Sequence, residues 1–203
     1  MELSKVFIFF FITLGPIKLI VPFTNLTTNA DPSLRRAIAF STFRLSTLIV
    51  VILALIANRL TASWGISQNA VAITGGLVLF LWGLESIHTL RRPTKPPAPP
   101  EEPGLSLSVF PLTLPHSITP AGIAAIMYFT MTARDWAGIG IIIAILIGVM
   151  VLNLVAMLTA DKILKSLGGA VTLAVVGVVL YLFQTALAVD VLITAFERLG
   201  LFK

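Results

Sequence analysis

Six apolar runs, each about long enough to cross a bilayer, divide the chain at roughly 6–27, 35–58, 69–90, 105–130, 137–159 and 170–195. A helix rises about 1.5 Å per residue, so about twenty apolar residues cover a hydrocarbon core of about 30 Å. Each run therefore predicts one transmembrane helix. Two of the runs are interrupted. Thr13-Leu14-Gly15-Pro16 breaks the first, and a stretch from Pro111 to Pro120 breaks the fourth. Proline lacks a backbone donor and clashes with the preceding turn, so each break frees polar groups that lipid cannot satisfy. In each, the proline suits the first position of a new half-helix, with Gly15 or Thr119 as its N-cap.

Composition places the chain in the membrane. With 57% hydrophobic and 11% charged residues and a mean hydropathy of +1.01, there is too little polar surface for a soluble domain. No connection between runs exceeds about fifteen residues, so the function is expected within the bilayer. Lys5 ahead of an apolar run resembles a secretory signal. A small-x-small cleavage site is missing, however, and Lys18 lies mid-run, so the first segment reads as a retained helix. The net charge of +5 fits the surplus of Lys and Arg that flanks membrane helices, and no nucleic-acid partner is expected. Lys5, Arg59, Arg134, Arg198 and Lys203 would face one side. Arg35, Arg36, Arg91, Arg92, Lys95, Lys162 and Lys165 would face the other. The larger basic set predicts that the second side is cytoplasmic and that both termini lie outside.

The segment 91–104 holds Pro93, Pro96, Pro97, Pro99, Pro100 and Pro103, a composition that favours an extended spacer. It separates an N-terminal three-helix repeat, 1–90, from a C-terminal one, 105–203. Gly76-Leu77-Val78-Leu79-Phe80-Leu81-Trp82 matches Gly177-Val178-Val179-Leu180-Tyr181-Leu182-Phe183, and Pro16 matches Pro120 at nearly the same offset. The expected fold is an all-α membrane protein with six transmembrane helices. They would form two inverted three-helix repeats, each with a proline-broken first helix.

Interrupted helices at corresponding places in two halves point to a transporter's solute site. A helix start offers unpaired amides and about half a positive charge, which suit a carboxylate. The candidate solute-binding residues are Thr13, Gly15, Pro16 and Lys18 in the first break and Ser117, Thr119, Pro120 and Gly122 in the second. Lys18 lies about 18 Å along the first helix at about 1.5 Å per residue, and a buried ammonium needs a partner. That partner could be the solute, a carbonyl or a carboxylate such as Glu85; alternatively the side chain snorkels to the surface. Glu85 and His88 share a helix face and read as a solvated helix end, whereas Asn153 and Gln184 read as interhelical hydrogen-bond partners. His116 either lines the cavity or caps a turn. Cysteine is absent, and no zincin motif, nucleophile elbow or phosphate loop occurs. Neither an enzyme nor a cofactor or metal site is expected.

Three stretches together resemble one family. They are Gly15-Pro16-Ile17-Lys18-Leu19-Ile20-Val21-Pro22-Phe23, Trp64-Gly65-Ile66-Ser67 leading to Ile73-Thr74-Gly75-Gly76, and Phe110-Pro111-Leu112-Thr113-Leu114-Pro115 leading to Thr119-Pro120-Ala121. They are similar, in order and across almost the whole chain, to the MarC family. The resemblance implies a six-helix protein of a prokaryotic inner membrane, within the LysE-type transporter superfamily, that transports small neutral amino acids. The chain has Gly15 where that family usually writes Asn or Asp, and Lys18 where it writes a small residue. A secondary transporter of a small organic solute is thus expected. The alternatives are a divalent-metal or other ion exporter of the same superfamily, and a membrane subunit that transports nothing. The sequence carries no signal for an oligomeric state.

Overall fold

The computed structural model describes residues 3–91, 100–133, 135–166 and 170–200. Most of the proline-rich spacer, 92–99, and the basic residues Arg92, Lys95, Arg134 and Lys203 lie outside them. Among the described residues the fold is all-helical. Its helices are α1 (Leu3–Leu14), α2 (Ile17–Leu26), α3 (Pro32–Ser63), α4 (Gln68–Arg91), α5 (Pro120–Thr132), α6 (Trp136–Ser166) and α7 (Ala170–Arg198). Five segments are long and apolar enough to cross a membrane, the first being α1 and α2 taken together across their break. A sixth exists if residues 105–117 and α5, bent by 63° at their junction, count as one span.

The bend agrees with the proline break expected between Pro111 and Pro120, but the segment before it is not a regular half-helix. A short turn at Leu105–Ser108 runs into a widened coil at Val109–Ser117, where Phe110 and Leu114 leave helical geometry and the peptide bonds before Pro111 and Pro115 are cis. Hydroxyls from α3 support this irregular backbone. Ser41 and Ser108 share a hydrogen bond at 2.9 Å, Ser46 donates to Thr113 at 3.5 Å, and Thr113 donates to the Ser108 carbonyl at 2.6 Å. Backbone without a regular ladder is tolerated at membrane depth only where protein satisfies it, as here.

α3 can approach that coil closely because its buried face is lined by Ala39, Thr42, Ser46, Val50, Ala54, Ala57 and Thr61. These small side chains recur every three or four residues, the spacing of one helix face. Asp31 fixes the start of α3 by accepting the Leu34 amide at 2.6 Å, with Pro32 in the first turn. Gly65, at φ 65°, ends it.

α3 packs on α6, α4 on α7 and α1 on α5. One end of the bundle gathers Leu3, Asp135 and Arg198 around a common cavity, with Arg59 stacked over Trp136. The opposite end gathers Arg35 against Asp161, and Asn29 donates to the Pro100 carbonyl at 2.9 Å. Between the ends lie two apolar clusters. One is built on Phe10, Leu14, Ile126 and Leu146, the other on Leu19, Phe23, Ile38 and Met157.

Candidate functional site

The first break lies between α1 and α2, where Gly15 and Pro16 interrupt the ladder of backbone bonds. A Cβ at Gly15 would lie 1.8 Å from the Phe11 carbonyl oxygen, so a side chain has no room there. Because Pro16 brings no amide and the chain bends, the carbonyls of Thr13 and Leu14 are left for other elements to satisfy. The Thr119 hydroxyl donates to the Thr13 carbonyl at 3.1 Å. The Asn153 amide donates to the Leu14 carbonyl at 2.8 Å.

The second break lies just before α5. Thr119 is its N-cap, in extended conformation, and its hydroxyl accepts the Gly122 amide at 2.9 Å. One hydroxyl therefore caps α5 and holds the first break. Gly122 completes the junction, since a Cβ there would lie 2.0 Å from Leu14 Cδ2. Two segments a hundred residues apart in sequence are thus in direct contact, and Thr13, Gly15, Thr119 and Gly122 are all buried in that junction.

α2 starts one residue later than expected. Pro16, not Gly15, is the residue before it, already in helical geometry at φ −69° and ψ −27° with no side-chain cap. The ring that fixes φ makes Pro16 turn the chain itself. Of the first-turn amides of α2, Leu19 donates to the Pro16 carbonyl at 3.0 Å, and those of Ile17 and Lys18 precede the intrahelical ladder.

Of the pairings open to Lys18, the structure shows a carbonyl, that of a side-chain amide, and neither Glu85 nor the surface. Its ammonium donates to Gln184 Oε1 at 2.7 Å and stands 4.7 Å from the centre of the Tyr181 ring. Gln184, fully buried, passes its own amide on to the Leu79 carbonyl at 3.1 Å. A lysine on α2 is therefore tied through α7 to α4. Glu85 and His88 are exposed near the end of α4, so they do not reach it.

The hydroxyl protons of the candidate residues are committed within the protein. Thr13 donates to the Phe9 carbonyl at 2.9 Å, Ser117 to Met150 sulfur at 3.9 Å, and Thr119 to Thr13. Pro16 is half-buried and Pro120 exposed, and His116 is half-buried in the irregular coil. Asn153, 2% exposed, has a free acceptor, because its Oδ1 has no partner while its amide holds the first break. Asn153 makes the interhelical hydrogen bond expected of it, and its position at the break comes from the packing of α6. Alongside α5 an apolar groove of about 380 Å³ is lined by Thr74, Gly75, Pro120, Ile123 and Met127. Among the described residues no group of three or more histidines and carboxylates gathers.

A family described as "MarC family integral membrane protein" matches residues 1–199. The chain belongs to the MarC family. The match covers both breaks and every described helix of this MarC chain. It is an integral, multi-pass helical membrane protein. No curated protein and no solved structure matches it.

Proposed function

We propose that this MarC chain is a secondary transporter of a small neutral amino acid, which it handles where the two breaks meet. The observation that carries the reading is the junction of the two breaks, where the Thr119 N-cap of α5 meets the last turn of α1 at Thr13, with the unpaired Asn153 amide oxygen at that junction and the Lys18 ammonium in the first turn of α2. In this reading the Ile17 and Lys18 amides at the start of α2 and the Lys18 ammonium take the solute carboxylate. Asn153 Oδ1 takes the solute ammonium. Lys18 is held by a neutral amide and a ring face, so exchanging Gln184 for a carboxylate strands no protein charge. The committed hydroxyls of Thr13, Ser117 and Thr119 keep the breaks together. The groove beside Pro120 and Ile123 offers an apolar wall for a hydrocarbon side chain.

The same reading takes the halves 1–90 and 105–203 as an inverted repeat, since an odd number of spans per half reverses the second. Transport proceeds by rocking of one half against the other around the breaks. Arg35, Arg36, Lys162 and Lys165 then lie at the cytoplasmic face of a prokaryotic inner membrane, with both termini outside.

The test is flux into vesicles reconstituted with the full chain, against a panel of labelled amino acids. Neutral amino acids should exchange above the rate in empty vesicles, and Lys18→Met should abolish most of that flux while the protein keeps its melting temperature. No flux for any amino acid, or flux untouched in Lys18→Met, removes the proposal.

A further inference from the structure

A second cavity, of about 550 Å³, opens between the start of α3 and the far part of α6, away from the breaks. Arg35, Arg36, Phe40, Leu158 and Asp161 are among its walls. Arg35 is already occupied. It donates from Nη1 and Nη2 to the two Asp161 oxygens at 2.5 and 2.8 Å, and its guanidinium stands over the Phe23 ring at 5.3 Å. Arg36, the next residue, lines the same cavity with no partner among the described residues.

The carboxylate that lines this cavity is spent. Asp161 is held by Arg35, and Asp31 caps α3 through the Leu34 amide. Glu101 and Glu102 stand at the same end but do not line this cavity. Lys162 and Lys165, both exposed, follow Asp161 on α6. Among the residues that line the cavity, the charge left over is therefore the Arg36 guanidinium. One helical turn from Arg36 into the span, Phe40 is 45% exposed, and Leu158, one turn from Asp161, is also 45% exposed. A charged rim followed by an uncovered hydrocarbon wall matches the order in which a phospholipid presents phosphate and acyl chain.

We propose that this cavity binds the phosphodiester headgroup of an anionic phospholipid, with Arg36 as the phosphate ligand and Phe40 and Leu158 flanking an acyl chain. A guanidinium meets two phosphate oxygens with parallel N–H groups, a fit that an ammonium cannot reproduce. The unspent Arg36 guanidinium selects against zwitterionic headgroups, whose own cation it would face. The inference is independent of the transport reading, because it uses neither break.

Native mass spectrometry of the detergent-purified full chain, titrated with phosphatidylglycerol or phosphatidylcholine, tests it. Phosphatidylglycerol should bind about tenfold more tightly, and Arg36→Gln should erase that preference while Arg36→Lys keeps part of it. Arg59→Gln, at the opposite end of the bundle, should leave the preference intact. Leu158→Glu, on the exposed wall, should lower phosphatidylglycerol binding as Arg36→Gln does, without touching the Arg35–Asp161 pair. Equal binding of the two lipids, an unaffected Arg36→Gln protein, or an equal loss in Arg59→Gln overturns the proposal. Displacement of the lipid by excess inorganic phosphate overturns it in favour of a soluble anion.

Discussion

Thr119 donates its hydroxyl proton to the carbonyl of Thr13 while accepting the amide of Gly122, so one side chain serves both breaks at once. Every proline break in a membrane helix creates this need for outside partners. Here the second break meets part of the first one's need through Thr119, and Asn153 supplies the bond to Leu14.

Thr119→Val keeps the shape and removes both bonds, leaving the Thr13 carbonyl and the Gly122 amide unpaired in an apolar interior. The expected loss is about 2–3 kcal/mol, and Thr119→Ser should recover most of it. Unfolding in denaturing detergent measures the difference. A Thr119→Val protein as stable as wild type would show that the two breaks do not depend on this bond.

Gly15→Ala should be far more damaging than its size suggests, because the new Cβ would meet backbone, the Phe11 carbonyl oxygen, and not a movable side chain. Gly140, with nothing within 4 Å of a built Cβ, is the control. Gly140→Ala should be neutral or slightly stabilising in its helix. Yield of monodisperse protein and melting temperature for the two variants should diverge clearly.

Gln184→Leu removes the acceptor of the Lys18 ammonium and the donor to the Leu79 carbonyl. It should cost about 2–3 kcal/mol. Adding Lys18→Met should restore part of that, since no charge is then stranded. A double-variant cycle on melting temperature reads the coupling, and strictly additive losses would mean that the two side chains are not partners in the membrane.

At the end of α3 outside the membrane, the Leu34 amide and then the Ser33 hydroxyl hold the Asp31 carboxyl below its ordinary value. A carboxyl lowered in the folded state contributes stability above its unfolded pKa of about 3.9. That contribution is lost as pH falls through the lower, folded value. The melting temperature of wild type should therefore fall more steeply on acidification than that of Asp31→Asn, which caps without titrating. Parallel curves for the two proteins would exclude Asp31 as a source of the acid sensitivity.

Much of this architecture could be read along the chain. Apolar runs of sufficient length can only be satisfied as helices in lipid, so the spans, the break at Gly15-Pro16 and the N-cap at Thr119 followed from residue type and spacing. The irregular course of 105–117 was not legible. It depends on hydroxyls of Ser41 and Ser46, which are ordinary residues within α3 until the coil packs on them.

The sequence by itself determined that the chain lives in a membrane, where its helices break, and that the breaks would need partners. Those conclusions rest on local rules, namely hydropathy over about twenty residues and the missing amide of proline. Tertiary structure alone decided which partners they received. Lys18 went to Gln184 and Tyr181, Leu14 to Asn153, and Thr13 to Thr119. The physical reason is that a hydrogen bond between residues a hundred or more positions apart depends on how helices cross, which is set by the small residues on their faces and leaves no trace in the spacing of either partner.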